Sequence, residues 1–348
     1  MIDQPSRQAA SVCPQCGTHI APALLACPSC QRLVHADELK RLAADAEQAV
    51  KAGDRSAALA AWREALDLLP PESTQHQVVA ARVEELSRAL DRAPTPAATR
   101  PGSRWGKGAA GLGALGALLA KFKFALVFVL TKAKLLLLGL TKASTLFTML
   151  LSAGVYWAAW GWKFALGVVL SIYVHEMGHV QALQRYGIKA TAPMFIPGVG
   201  AVVRLKQYPA SPREDARVGL AGPLWGLGAA AAAYAAYIGT GGGIWAAIAH
   251  FGAWVNLFNL VPVWQLDGGR GFRALTRRQR GIAAAVIALM WLATGEGLLV
   301  LLLVAAAVAS FAGRAAETPD APALLEYTWL VAALSLMTLI RVPTGGVG

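Results

Sequence analysis

Charged residues are scarce in this 348-residue chain. Asp, Glu, Lys and Arg make up 15% of it and apolar residues 56%, whereas about a quarter of a soluble domain is charged. The first 107 residues hold 13 of the 32 basic and 12 of the 20 acidic side chains, so the net charge of +12 lies almost entirely in the apolar remainder. This distribution argues against a wholly soluble protein. We also expect no nucleic-acid partner, since a protein that binds nucleic acid carries its basic face on a soluble domain.

Cysteine is absent after residue 30, which leaves no disulfide for the rest of the chain. The four cysteines form two C-x-x-C pairs, Cys13 with Cys16 and Cys27 with Cys30. Four thiolates presented by two tight turns are the ligand set of a structural zinc, which has no open position for catalysis. We therefore predict a zinc ribbon over residues 11–35 holding one structural Zn²⁺. A redox pair or a pair of disulfides is the alternative.

The N-terminal region also lacks the short apolar core of a secretory signal peptide, so we expect a cytoplasmic N-terminus. Residues 36–92 show helical spacing of apolar residues, with breaks at Gly53 and Pro70, and predict two antiparallel helices and a third. The spacing of Ala58, Trp62, Ala65 and Pro70 matches the second helix of a tetratricopeptide repeat. A plain helical bundle, without a peptide-binding groove, is the alternative.

The chain becomes continuously apolar after a Pro-rich linker at residues 93–107. Residues 108–142 carry lysines along one helical stripe and predict a helix in the membrane interface. Residues 143–161, 163–185, 216–238, 244–264 and 323–340 approach the ~20 residues of a membrane span, and residues 281–312 predict two more spans or one bent helix. The predicted fold is a mainly α, polytopic helical membrane protein of about six to seven spans, with a small cytosolic zinc ribbon and helical hairpin.

Basic residues support one orientation of these spans. With the N-terminus inside, twelve basic residues fall in cytoplasmic loops and two, Lys163 and Arg341, fall outside. This is the bias of the positive-inside rule. We therefore expect a multi-pass protein of the cell (inner) membrane.

A cluster of ionisable residues interrupts the second of these spans as His175-Glu176-Met177-Gly178-His179. Two histidines four residues apart face one side of a helix and can bind one zinc, while the glutamate between them can take a proton from a metal-bound water. Ionisable groups at membrane depth are costly and mark functional sites. A structural polar cluster between helices is the alternative.

A hydrolytic zinc site has three protein ligands and one open position, so another helix has to supply the third ligand. His250 lies near the outer end of its span, on the order of 20 Å along the axis from the histidine pair, and is expected to be a packed or interfacial histidine. Asp267 lies at the cytoplasmic end of the same span. Pro262 ends the helix before it, and Gly268 permits the sharp turn that brings the carboxylate inward.

These motifs, HEMGH together with Asn259-Leu-Val-Pro262 and Leu266-Asp267-Gly268, resemble the site-2 protease family of intramembrane zinc metalloproteases. The resemblance covers about residues 143–275, a metalloprotease core followed by C-terminal transmembrane helices at 276–348. It implies that His175, His179 and Asp267 bind a catalytic Zn²⁺, that Glu176 is the general base and that Asn259 helps to hold the substrate carbonyl. Ala221-Gly-Pro223 resembles a further family motif. The segment Val263-Trp-Gln265 departs from the family's usual I-P-P.

The expected function is hydrolysis of peptide bonds in membrane-embedded substrate helices near the cytoplasmic face. Residues 191–206 are β-rich around Pro197-Gly198, and we hypothesise a hairpin that pairs with an unwound substrate by strand addition; an ordinary connecting hairpin is the alternative. The expected partners are a membrane-protein substrate, the lipid bilayer and a cytosolic protein that docks on the zinc ribbon or helical hairpin. A catalytically silent zinc-binding scaffold or adaptor and an ion transporter are the competing functions.

Overall fold

The computed structural model is mainly helical, as predicted, and the chain forms two compact units. One unit comprises residues up to Ala98 together with Gln184–Lys189, and the other comprises the remainder. The structure describes residues 11–21, 24–92, 143–196, 200–202, 207–264, 266–312 and 314–343. The linker at 93–107 and the predicted interfacial helix at 108–142 lie outside the described residues.

The first unit begins with a small hairpin in which strands β1 (Ser11–Val12) and β2 (His19–Ile20) pair antiparallel. Each C-x-x-C pair lies in a tight turn, because the amide of Gly17 donates to the carbonyl of Cys13 and the amide of Gln31 donates to that of Cys27. Both turns therefore direct their thiols toward one point.

Three helices complete this unit: α1 (Ala36–Lys51), α2 (Arg55–Asp67) and α3 (Thr74–Arg92). Their bounds agree with the predicted breaks, and the side chain of Asp54 caps α2 by accepting from the amide of Ala57 at 2.9 Å. The core between α2 and α3 is formed by Ala58, Leu59, Val83 and Leu86, with Trp62 half-buried against it.

The second unit holds most of the apolar sequence. Its helices are α4 (Ala143–Trp160), α5 (Trp162–Arg185, which continues into the first unit), α6 (Pro212–Thr240), α7 (Gly243–Asn259), α8 (Asp267–Arg273), α9 (Arg277–Thr294), α10 (Leu298–Ala312) and α11 (Ala321–Met337). A single hydrophobic core joins α6 through α11. Short antiparallel strands β3 (Met194–Ile196) and β4 (Gly200–Val202) form the predicted hairpin, with Met194 opposite Val202.

Two of the predicted spans take a more definite form in the structure. The region 281–312 contains two helices, α9 and α10, because Gly295 ends α9 in the left-handed conformation at φ +69°. The predicted span 244–264 is too long: α7 ends at Asn259, since Pro262 has no amide proton and its ring would clash with the preceding turn of a continued helix.

Among the described helices, α6 alone is long and apolar enough to cross a membrane by length and composition, and α4, α10 and α11 contain shorter apolar helices. The predicted six to seven spans therefore stay a prediction.

Candidate metal centre and active site

Three metal-donor atoms from two distant parts of the sequence meet in the second unit. The Nε2 atoms of His175 and His179 are 3.2 Å apart. The carboxylate of Asp267 lies 3.1 Å from the first of these atoms and 3.3 Å from the second. All three residues are buried. The structure thus brings together the three side chains that the sequence predicted as ligands.

Local structure explains this convergence. His175 and His179 lie four residues apart on α5, so their side chains share one face. Asp267 is the first residue of α8, directly after the segment in which the chain leaves α7. Because α8 packs against α6 and α6 also contacts the histidines, the carboxylate reaches the same point.

The outer nitrogen of each imidazole is bound to a hydrogen-bond acceptor. Nδ1 of His179 lies 2.7 Å from the carbonyl of Val218 on α6, and Nδ1 of His175 lies 2.7 Å from Oδ1 of Asn256 on α7. The amide group of Asn256 donates to the carbonyl of Gly252, also at 2.7 Å, which fixes Oδ1 as the acceptor. Nδ1 of each ring therefore donates its proton to these acceptors, which leaves Nε2 to face Asp267 and, when unprotonated, to bind a metal.

This arrangement fits a zinc ion. Two unprotonated nitrogens and a carboxylate are all acceptors, and acceptors that converge in a buried site repel each other unless a cation lies between them. Two imidazoles and one carboxylate are a known ligand set of hydrolytic zinc sites, in which a fourth position is left for water. The donor chemistry and the orientation of both rings therefore favour Zn²⁺.

Small residues on α6 allow this helix to pass directly over the histidines. A Cβ atom added at Gly222, the centre of the Ala221-Gly-Pro223 motif, would fall inside van der Waals contact with the imidazole nitrogens of both His175 and His179. A Cβ at Gly226 would clash in the same way with Asn256. The glycine of this motif, which resembles a motif of the family, thus permits the close approach of α6 to the metal centre.

The other predicted residues lie as follows. Glu176 is buried beside the ligands on α5. Asn259 is half-buried as the last residue of α7. His250 does not join the ligand group in the part of the chain that the structure describes, as the sequence predicted.

The four cysteines form a second candidate metal site in the first unit. Their sulfur atoms all lie within 4.8 Å of one another, with Cys13 to Cys30 at 3.6 Å and Cys16 to Cys27 at 3.5 Å. These separations are too long for disulfide bonds, which measure about 2.05 Å. Hydrogen bonds with the side chain and backbone of Thr18 lower the pKa of Cys16 to about 6, which favours its thiolate form. The cluster fits a zinc ribbon.

Comparisons with known proteins agree with the site. Residues 163–244 match the model of peptidase family M50. A zinc metalloprotease of Methanocaldococcus jannaschii is 26% identical to the chain over 137 residues, which is 38% of this chain and 38% of the relative. No solved structure matches the chain. These findings confirm the resemblance to the site-2 protease family, whereas the chain spans well under half of the curated relative.

Sequence reasoning missed the groups that orient the two rings, Asn256 and the carbonyl of Val218. A signal existed for Asn256, because an amide in an apolar helix needs a partner and a metal-binding histidine needs an acceptor for its second nitrogen. The backbone carbonyl of Val218 carries no signal in the sequence, since only the packing of α6 against α5 brings it to His179.

Proposed function

We propose that the chain is an intramembrane zinc endopeptidase that hydrolyses peptide bonds of membrane-embedded substrate helices near the cytoplasmic face. One observation carries the proposal: three buried side chains that can ligate a metal converge, and the buried Glu176 lies between the two histidines on their helix. A structural zinc needs no such glutamate, so its presence argues against the scaffold alternative. The family match and the relative's name support the zinc-protease class.

His175, His179 and Asp267 would hold the catalytic Zn²⁺, which when bound supplies a polarising charge and lowers the pKa of water toward ~7. Glu176 would take the proton of the attacking water and pass it to the leaving amine. Asn256 and the carbonyl of Val218 keep the two imidazoles oriented throughout. Asn259, at the end of α7, would donate its amide hydrogen to the substrate carbonyl.

A helical substrate has to unwind before its peptide bonds become accessible, because its carbonyls are hydrogen-bonded within the helix. We propose that the β3–β4 hairpin receives the unwound segment by strand addition. The hairpin is tied to α4, since Thr145 donates to the carbonyl of Pro193 at 2.8 Å and the amide of Phe195 donates to Thr148 at 3.1 Å. Phe195 is buried and stacks on Tyr173 of α5, so the hairpin is anchored to the helix that bears the ligands.

We further propose a multi-pass protein of the cell membrane with a cytoplasmic N-terminus, as the distribution of basic residues favours. The zinc ribbon and the three helices after it would then bind a cytosolic protein partner or present substrates to the membrane core. The ribbon would hold one structural Zn²⁺, and the chain would bind two zinc ions in all.

Zinc content and cleavage of a reconstituted model transmembrane substrate test the proposal together. We expect the wild type to bind two zinc ions and to cut the substrate, and Asp267→Ala to lose one zinc and all cleavage. Cys27→Ala is the matched control, because it removes a ligand of the ribbon and should spare the catalytic zinc. If the wild type binds both zinc ions yet cuts no substrate, the scaffold function replaces the protease.

A further inference from the structure

The segment between α7 and α8 has an unusual conformation at Trp264. Its φ angle is +44°, in the left-handed region that bulky side chains rarely adopt. Such a conformation costs free energy and persists only where surrounding contacts impose it. Trp264 also lies in the segment at which the sequence departs from the family's I-P-P, so the family pattern gives no account of it.

A hydrogen bond from α8, which is itself braced by α6, reaches the backbone of Trp264. Arg273 on α8 donates through Nη1 to the carbonyl of Trp264 at 3.2 Å. The same guanidinium binds Asp215 of α6 through Nε at 3.1 Å and Nη2 at 2.6 Å. Asp215 also accepts from Nε of Arg270 at 2.8 Å. One carboxylate on α6 therefore fixes two arginines of α8 and, through Arg273, the backbone of Trp264.

The side chain held in this way is turned outward. Trp264 is 82% exposed and its neighbour Val263 is 47% exposed. An exposed indole on a strained and tethered backbone provides no core packing that would explain the strain. The indole is instead available to contact a molecule outside the fold.

The position of Trp264 in the chain sets it beside the metal centre. It precedes Asp267 by three residues, so the two Cα atoms lie within about 11 Å of each other whatever the path of the chain. It follows Asn259, for which we propose a contact with the substrate carbonyl, by only five residues. A substrate segment bound at the metal centre would lie within reach of a large side chain at this position.

We propose that Trp264 is a specificity-determining residue whose indole contacts a bulky apolar side chain of the substrate next to the bond that is cut. The inference rests on the proposed endopeptidase function and names a further contact in that same site. Asp215 and Arg273 are positioning residues, because they hold the backbone of Trp264 and need not touch the substrate. A membrane-interface anchor, the common role of an exposed tryptophan, is the outcome that the test has to separate.

The test uses the full chain in lipid vesicles and two model transmembrane substrates that carry Leu or Ala beside the scissile bond. Trp264→Gly keeps the left-handed backbone at little cost and removes the indole, whereas Trp264→Phe keeps an aromatic ring. We expect Trp264→Gly to reduce the preference for Leu over Ala in kcat/KM about tenfold and Trp264→Phe to retain most of it. Arg273→Gln should lower the preference with the indole still present.

Trp329→Ala is the matched control, because Trp329 is also exposed, at 54%, and lies on α11. It should leave the preference unchanged, and zinc content should equal that of the wild type in every variant. If Trp264→Gly slows the cleavage of both substrates equally, Trp264 is an anchor and the proposal is wrong.

A photoreactive amino acid in place of Trp264 provides a readout that does not depend on cleavage. In a Glu176→Gln chain we expect it to crosslink to the Leu substrate, and the same group in place of Trp329 should not. If the wild type cuts neither substrate, the endopeptidase function fails and this crosslink alone decides the contact. Absence of the crosslink would overturn the inference.

Discussion

At the level of single residues, the metal centre depends on the atoms behind each imidazole. Nδ1 of His179 is held by a backbone carbonyl, and Nδ1 of His175 is held by the side chain of Asn256. Only the second of these contacts can be removed by substitution. Asn256 thus offers a direct test of whether ring orientation determines metal affinity.

Replacement of Asn256 by alanine should weaken zinc binding at the catalytic site by about 10- to 100-fold, because the His175 ring loses the acceptor that fixes its tautomer. Competition with a chelator, followed as zinc retained per chain, measures the change. The zinc of the ribbon should stay bound.

Asn259→Ala is the control for this experiment. Asn259 lies one helical turn further on α7 and is proposed to contact the substrate, so its loss should reduce cleavage and leave zinc affinity unchanged. Equal zinc affinity in Asn256→Ala and the wild type would contradict the orienting role of Asn256.

Gly222→Ala should abolish zinc binding at the catalytic site, since the added methyl group would occupy space next to the imidazole nitrogens of His175 and His179. Gly228→Ala, on the same helix, meets nothing within 4 Å and should be neutral or slightly stabilising. Zinc content and thermal unfolding of the two variants, measured side by side, give the comparison. Full zinc content in Gly222→Ala would refute the close approach of α6.

The ligand residues themselves could be predicted because they depend on local spacing and on chain order. A separation of four positions put the two histidines on one helical face, and the position of Asp267 after a helix-ending proline put it at the correct depth. Asn256 and Gly222 were beyond such reasoning, because their roles arise only when α6 and α7 pack against α5.

At the level of elements, helix α2 holds the turn that follows α5, a turn that belongs to the first unit. The buried guanidinium of Arg63 on α2 donates to the carbonyl of Tyr186 at 2.9 Å, and Ser56 donates to that of Arg185 at 2.8 Å. These carbonyls lie at and just after the C-terminal end of a helix, where backbone carbonyls take partners from outside the helix. Side chains of α2 thus bind carbonyls of this turn, which belongs to the same unit.

Arg63→Ala should lower the free energy of opening of α2 by about 1–3 kcal/mol, because the Tyr186 carbonyl loses its donor in a buried position. Hydrogen exchange of the α2 amides in the full chain measures this. Arg41→Ala removes an exposed arginine that pairs with Glu38 and should change exchange little. Identical protection in the two variants would contradict this role of Arg63.

The β3–β4 hairpin leads to a separate prediction. Val202→Pro removes one backbone amide of β4 and should abolish cleavage if the substrate pairs with the hairpin, with zinc content and unfolding temperature unchanged. Val202→Ala keeps the amide and should cut as the wild type does. Unaltered cleavage by the proline variant would mean that the hairpin is an ordinary connection between helices.

Element types were predictable where breakers are strong, as at Gly53 and Pro70. The span bounds 244–264 follow the apolar run and extend past the end of α7, although Pro262 already indicated that the helix stops before Asp267. The three-residue strands of the hairpin could be expected only as a β-rich stretch, since their register depends on backbone pairing.

At the level of the whole molecule, the sequence predicted a mainly helical chain with two metal-binding motifs, and the structure contains both donor clusters. The predicted number of membrane spans has no such counterpart in the structure. Helix α5 carries the ionisable ligands and α9 begins with several arginines, whereas α6 is long enough to hold a full apolar stretch after its charged first turns. The chemistry that defines the site therefore obscures the membrane signal.

The central claim is that Glu176 takes the proton of the water that attacks a membrane-embedded peptide bond, beside the three side chains that would hold Zn²⁺. Its most direct test is mass spectrometry of a model transmembrane substrate after incubation with reconstituted wild type, Glu176→Gln and the control Glu317→Gln, whose residue is exposed. We predict one defined pair of cleavage fragments from the wild type and the control, and none from Glu176→Gln with its zinc fully retained. The same fragments at an undiminished rate from Glu176→Gln would contradict the claim.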